Sequence, residues 1–273
     1  MLERPNRHAW KACDLHGSVG SNPTLSAREY LRAVRKKGKE ALCSKLDKPA
    51  KLGVAMDFQK AIGAYVLSKT GHGWDIFWDY RFQLKSHGVS PLADDQHLET
   101  AVQLSAYLAS FGMYRGSTRL SSLSAHGLAD VIGSCREALE AVEHIHLESL
   151  REVDREIVVR LFSTLGSSLR ERDVSSSVTM VTKMTLALWG QVPAFDSFAR
   201  RTIYQLGIGT KSRQFPNSYN QAFDAMLKLR SEYENSWNRL ENLEHTLNRT
   251  RPSETAPVPV ARLIDMGLWW LGR

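Results

Sequence analysis

Between Val178 and Trp189 the chain reads as a helix that is apolar nearly all round. Val178, Val181, Met184, Leu186, Leu188 and Trp189 spread apolar side chains around most of the circumference of a helix. A helix that is apolar all round has to be enclosed by other elements, so this one predicts the middle of a domain. Ser175-Ser176-Ser177 before it marks a loop and an N-cap, and Gly190 and Pro193 break the run. The stretch TKMTLALWGQVPAFDSFARR, Thr182–Arg201, then resumes as a new helix just after Asp196.

The segments on either side carry helical periodicity almost throughout. Phe58, Ile62, Tyr65 and Val66 form one amphipathic stripe, ending at Thr70-Gly71. Trp74–Leu84 is dense in aromatics, which at this spacing serve as core or stack on bases. Asp94 or Asp95 is placed to cap a helix that reaches Phe111, with Leu98, Val102, Leu104, Ala106 and Leu108 apolar. Ser124–Leu150 and Val153–Leu169 read as further helices, Gly207-Ile208-Gly209 as a turn, Asn217–Leu247 as a long helix with a charged face, and Val260–Leu271 as a short final one. No strand-period stretch or internal repeat interrupts this pattern. The expected fold is all-α, a single irregular or orthogonal multi-helix domain over residues 56–273.

Residues 1–55 differ in kind. The full chain has a formal charge of +7, which taken alone suggests a nucleic acid or an anionic surface as partner. Residues 1–55 hold 12 Lys and Arg against 5 Asp and Glu, which leaves 24 against 24 for residues 56–273. Nucleic acid is therefore a possible partner that the charge of the helical part does not support. Reverse translation adds a second oddity. His8-Ala9-Trp10-Lys11-Ala12-Cys13 permits an anticodon arm with a serine anticodon, and Val19-Gly20-Ser21-Asn22-Pro23-Thr24 permits a T arm at the right distance. Residues 1–27 thus resemble a translated tRNA-Ser gene. Residues 28–55 continue as a basic stretch, either an arm that neutralises phosphates or read-through to a start at Met56. A gene abutting a tRNA gene is expected in an integrated mobile element or defence island.

Other classes are constrained more simply. Cys13, Cys43 and Cys135 are far apart and odd in number, which suggests neither a disulfide framework nor a metal site. His144 and His146 point apart on a helix and are expected to face solvent. No cofactor motif is present, because neither a Walker loop nor a dinucleotide fingerprint can be found. No apolar run approaches the roughly 20 residues of a membrane span, and the N-terminus lacks the apolar core of a signal peptide. A cytoplasmic location follows as the expectation.

Candidate chemistry gathers at four residues. Lys183 is a cation on the all-apolar helix, and burying it unpaired is costly. Asp196 follows the break at Pro193, where it can cap the next helix, and Arg200 and Arg201 lie one turn on. Arg115 stands between Gly112 and Gly116, where small residues allow close backbone approach and guanidinium offers a planar fork to an anion. Two arrangements are compatible with this pattern. In one, Asp196 is a cap, Lys183 reaches solvent and the arginines lie at the surface or pair internally. In the other, Asp196 acts as a base or electrostatic stabiliser, and Lys183 with Arg115 or Arg200 binds an anionic ligand.

Two resemblances bear on the choice. Helix, Val192-Pro193-Ala194-Phe195-Asp196, helix resembles the end of the helix-hairpin-helix DNA glycosylase domain, where an Asp at that place assists base excision. The Gly-containing hairpin that should precede the helix is missing, with Leu165-Gly166-Ser167-Ser168 a poor substitute. Phe111–Thr118, Thr182–Phe198 and Leu263–Gly272 together are similar to a group of uncharacterised bacterial all-helical proteins, which implies no activity. The expected functions are a helical accessory protein with an anion-binding pocket, a nucleic-acid-processing enzyme of glycosylase type, or a helical interaction module using the long helix after Asn217.

Overall fold

The computed structural model describes residues 60–65, 72–208, 212–236 and 257–273. The chain divides between Lys48 and Pro49 into two units, and every described residue belongs to the second. The expectations for residues 1–55, including the tRNA-like segment, Cys13, Cys43 and the Met56 start, lie outside the described residues, as does the Thr70-Gly71 cap.

The described residues are helical and contain no strand. After a helical stretch at 60–65 come α1 (His72–Ser86), α2 (His97–Ser110), α3 (Ala125–Ser134), α4 (Arg136–Ala141), α5 (Arg155–Arg170), α6 (Val178–Leu188), α7 (Ser197–Gln205), α8 (Tyr219–Ser236) and α9 (Val260–Gly272). The enclosed helix of the sequence is α6, in which every residue but Thr179 is buried. It packs against α1, α2 and α5. Thr182 and Thr185 fit this interior because their hydroxyls donate back to the carbonyls of Val178 at 2.7 Å and Val181 at 2.8 Å, so no polar group is stranded. Ser177 caps the helix, its Oγ accepting from the Met180 N–H at 3.3 Å.

Three sequence expectations change. Ser124–Leu150 is not one helix: it breaks at Cys135 between α3 and α4, and a 3₁₀ turn at Leu147–Ser149 takes the place of the rest. Apolar periodicity missed the break because Cys135 stays in the helical region of backbone space (φ −101°, ψ 0°) and its side chain is buried. Neither Asp94 nor Asp95 caps α2. Both fall in a 3₁₀ turn ahead of it, and Asp94 instead meets Arg136 at 3.0 Å on the surface. Along α2 the buried face is Thr100, Ala101, Leu104, Tyr107 and Leu108, which leaves Leu98 and Val102 exposed.

The aromatic segment is largely core. Trp74 and Phe77 are fully buried in α1, and Trp78 stacks on Trp74 with ring centroids 5.1 Å apart. The last helix packs mainly on α7. There Gly272 lies so close to the Phe198 carbonyl that a Cβ would sit 2.0 Å from its oxygen. On α8 the stripe Ala222, Phe223, Met226 and Leu229 is buried. An interaction module using this helix would need the stripe exposed; its apolar positions from Tyr233 on lie outside the described side chains. No helix among the described residues is long and apolar enough to cross a membrane.

Candidate functional site

The segment between α6 and α7 is held against α6 by side chains rather than by a backbone ladder. Phe195 donates its N–H to Thr182 Oγ1 at 3.1 Å, and its carbonyl accepts from Thr179 Oγ1 at 2.8 Å. These two threonines are three apart on one face of α6, which is the spacing that lets them bracket a single residue of a crossing chain. The Ala194 N–H is taken by Asp265 Oδ1 of α9 at 2.9 Å. Asp196 is thereby delivered to the start of α7 beside Lys183.

The Asp196 carboxylate caps the helix and also pairs with Lys183. Its Oδ1 accepts from the N–H groups of Phe198 and Ala199 at 3.0 and 3.1 Å, capping α7. Its Oδ2 takes the Lys183 ammonium at 3.2 Å. Lys183 does not reach solvent: its side chain is 4% exposed and that of Asp196 is 14%. The Lys183 Nζ also stands 4.3 Å from the centre of the Phe111 ring, so a carboxylate and a π face together replace the water that burial removes.

A second buried pair adjoins this one and was not singled out in the sequence. Arg262 and Asp265, i and i+3 on α9, form an ion pair with side chains 0% and 6% exposed. The guanidinium donates to Tyr65 Oη at 2.9 Å and lies within 6 Å of the ring centres of Tyr65, Trp74 and Phe111. Burial opposes its charge, but the fields of Tyr65 and Asp265 hold its pKa above the ordinary arginine value. Lys183 and Asp196 both act electrostatically on Asp265. The four groups form a charge-balanced network, with Phe111 between the two cations. The available sequence signal was an Arg and an Asp one turn apart in an otherwise apolar helix.

The remaining predicted residues divide. Arg200 is partly buried with its Nε unpartnered, and burial lowers its pKa against the field of Asp196. Arg115 is exposed, and its Nε closes a turn on the Gly112 carbonyl at 2.7 Å. It does not join Lys183 and Asp196. His144 and His146 are exposed, and among the described residues no group of three or more His, Cys, Asp or Glu could hold a metal ion. Cys135 is buried, and burial pushes its thiol up to about 11.

Open space lies elsewhere. A cavity of about 340 Å³ runs along α1, where Trp78, Arg81, Phe82 and Lys85 fall at i, i+3, i+4 and i+7 on one helical face. Opposite are Gln191 and Glu148, with Pro257–Pro259 as a further wall. Arg81 is only 8% exposed. One of its terminal nitrogens donates to the Ala187 carbonyl at 3.1 Å, its guanidinium carbon is 4.8 Å from the Trp78 ring centre, and its Nε has no partner. Burial lowers its pKa to about 10, with the Glu143 carboxylate pulling the other way, so it is charged at neutral pH. Gln191 Oε1 anchors the opposite wall by accepting from the Leu147 N–H at 3.2 Å. The signal in the sequence was the Trp-x-x-Arg-Phe-x-x-Lys spacing, hidden inside a run whose other aromatics are core.

A second depression of about 340 Å³ lies along α5 and the end of α3, lined by Ser134, Ser163, Thr164, Ser167, Ser168 and Glu171. Its hydroxyls largely satisfy one another and nearby arginines, as in Ser134–Ser168 at 2.7 Å and Arg172–Ser168 at 3.0 Å. Unlike the α1 cavity, it presents no orphaned buried polar atom.

The helix-hairpin-helix resemblance meets the following geometry. Gly166 lies inside α5, and the connector to α6 is 171–177, with Asp173 rather than a glycine at positive φ (60°). Comparison of the chain with protein-family models, curated proteins and solved structures finds no match.

Proposed function

We propose that the protein is a helical ligand-binding protein that holds a small organic molecule through an anionic group in the cavity along α1. The observation that carries this is Arg81, a charged guanidinium buried in a cavity wall with an Nε that no protein atom satisfies. Leaving a buried charged donor unpaired is costly unless a ligand completes it. Concave sites with apolar walls and a few convergent polar groups are where small molecules bind. In this reading the anion pocket expected around Arg115, Lys183 and Asp196 lies instead at Arg81, which is supported by Lys183 and Asp196 pairing with each other. An accessory role in an integrated element remains part of the proposal and rests on the coding pattern of residues 1–27 alone.

Calorimetric titration of the full chain with acetate, benzoate and inorganic phosphate tests it. Saturable binding of one of them is expected, weakened at least about tenfold by Arg81→Gln, the loss of one charge-assisted contact. Circular dichroism melting of the variant checks that the fold is kept. Absence of binding of these three and of the larger carboxylates titrated below would overturn the reading.

A second reading, a base-excising enzyme, is favoured by one observation: Lys183, in the middle of α6, pairs with Asp196, which places a lysine against an aspartate beside the turn that resembles the glycosylases. Asp196→Asn can keep the cap of α7 through its amide oxygen while removing the charge. Base release from damaged duplex oligonucleotides by the wild type, abolished in this variant, is the expected sign of such an enzyme. No release by the wild type would remove the reading.

A further inference from the structure

The cavity along α1 has an acid in its wall as well as a base. Glu148 stands on the 3₁₀ turn Leu147–Ser149 and Arg81 on α1, and both line the same space. No ion pair or hydrogen bond joins them. Glu148 Oε2 is buried and unpartnered, as is Arg81 Nε. Two opposite charges that share a cavity without meeting leave one donor and one acceptor to be satisfied by whatever occupies it. Of the other basic residues that line the cavity, Lys85 is bonded to Glu143, whose field also reaches Arg81, and His146 is exposed, so the charged groups with buried unpartnered atoms in the wall are Arg81 and Glu148. A purely anionic occupant would answer Arg81 and face Glu148 with repulsion. The rest of the wall is mostly apolar, with Trp78, Phe82, Val258 and two prolines, together with Gln191, whose Oε1 is engaged by the Leu147 N–H, and the exposed His146.

From this we infer that the ligand is a zwitterion with an apolar body, of the class of free α-amino acids with an aliphatic or aromatic side chain. Its carboxylate lies toward Arg81, its ammonium toward Glu148, and its side chain against Trp78, Phe82 and Val258. This rests on the anion-binding reading above and narrows it. A carboxylate and an ammonium on one carbon satisfy both orphaned groups at once, and charge-assisted hydrogen bonds of this kind are the stronger ones.

The test is calorimetric titration of the full chain with L-leucine and L-phenylalanine, with the matched acids 4-methylpentanoate and 3-phenylpropanoate, and with the amine phenethylamine. The amino acids are expected to bind at least about tenfold more tightly than the acids, the worth of one charged hydrogen bond, and the amine more weakly still. In Glu148→Gln this preference is expected to collapse, with binding of the acids retained or improved. If the acids bind the wild type as tightly as the amino acids, the zwitterion is wrong while the anion pocket stands. If neither these compounds nor the simple anions bind, both fail. An unchanged preference in Glu148→Gln would also overturn the assignment, and the wild-type ligand series decides the question even if that variant does not fold.

Discussion

Asp265→Ala is expected to lower the unfolding free energy by about 4 kcal/mol, the range in which removal of one partner from a buried ion pair falls. For a domain of this size that corresponds to a fall in Tm of roughly 10–15 °C. The size of the effect follows from what the carboxylate leaves behind. Arg262 has no exposed surface, and what remains to it is the Tyr65 hydroxyl, three aromatic rings and the weaker field of Asp75. Rings attract a cation but return about 2 kcal/mol each when desolvated, less than the hydration it has lost. The buried Ala194 N–H loses its acceptor at the same time, which loosens the segment that delivers Asp196. The double variant Arg262→Met, Asp265→Leu is expected to recover most of the loss, because an aliphatic pair fills the same aromatic enclosure without desolvated charge. Thermal melting followed by circular dichroism compares the three proteins. A single variant within about 1 kcal/mol of the wild type would mean that water reaches the pair and that the network is not what closes the core.

The all-α fold could be read from the sequence because its strongest signal, a helix apolar nearly all round, also dictates where that helix must sit. The caps by Ser177 and Asp196 were legible for the same reason: capping is local chemistry between a side chain and N–H groups two or three residues away. The break at Cys135 was not, since a change of helix axis that keeps the apolar stripe buried leaves no mark in periodicity. The charged network was half legible. Lys183 stood out against apolar neighbours and Asp196 against a helix start, but that they meet depends on Thr179 and Thr182 gripping Phe195, a contact across a turn that spacing does not encode. Arg262 and Asp265 were overshadowed by the apolar residues around them. Arg115 misled because glycine neighbours mark close approach to a ligand and an ordinary turn alike, and here the arginine closes its own turn. The cavity along α1 depends on non-local partners, Gln191, Glu148 and Val258, which meet Arg81 only in three dimensions.

Gly190→Val is the second change with a large expected effect, and it ties the core to the cavity. Gly190 ends α6 at φ +84°, a left-handed conformation that costs a β-branched residue more than the roughly 1–2 kcal/mol paid by ordinary side chains. It also faces the indole of Trp78, so that even a single Cβ would stand 2.2 Å from the ring. That ring has little freedom to yield. It is stacked on the buried Trp74, hydrogen-bonded from Nε1 to the Pro257 carbonyl at 3.0 Å, and overlain by the Arg81 guanidinium. Overpacking of this kind adds about 1–3 kcal/mol, so a total loss of about 4 kcal/mol is expected, again roughly 10 °C or more in Tm. Gly190→Ala is expected to lose somewhat less, about 3 kcal/mol, from the same two causes. The informative measurement is made on the alanine variant below its melting transition, by tryptophan fluorescence and ligand titration together. Displacing Trp78 shifts the platform on which Arg81 rests, so weaker binding of the cavity's ligand is expected even where the protein is fully folded. A folded Gly190→Ala protein with unaltered binding would show that Trp78 can slide without disturbing Arg81, and that the glycine serves the turn alone.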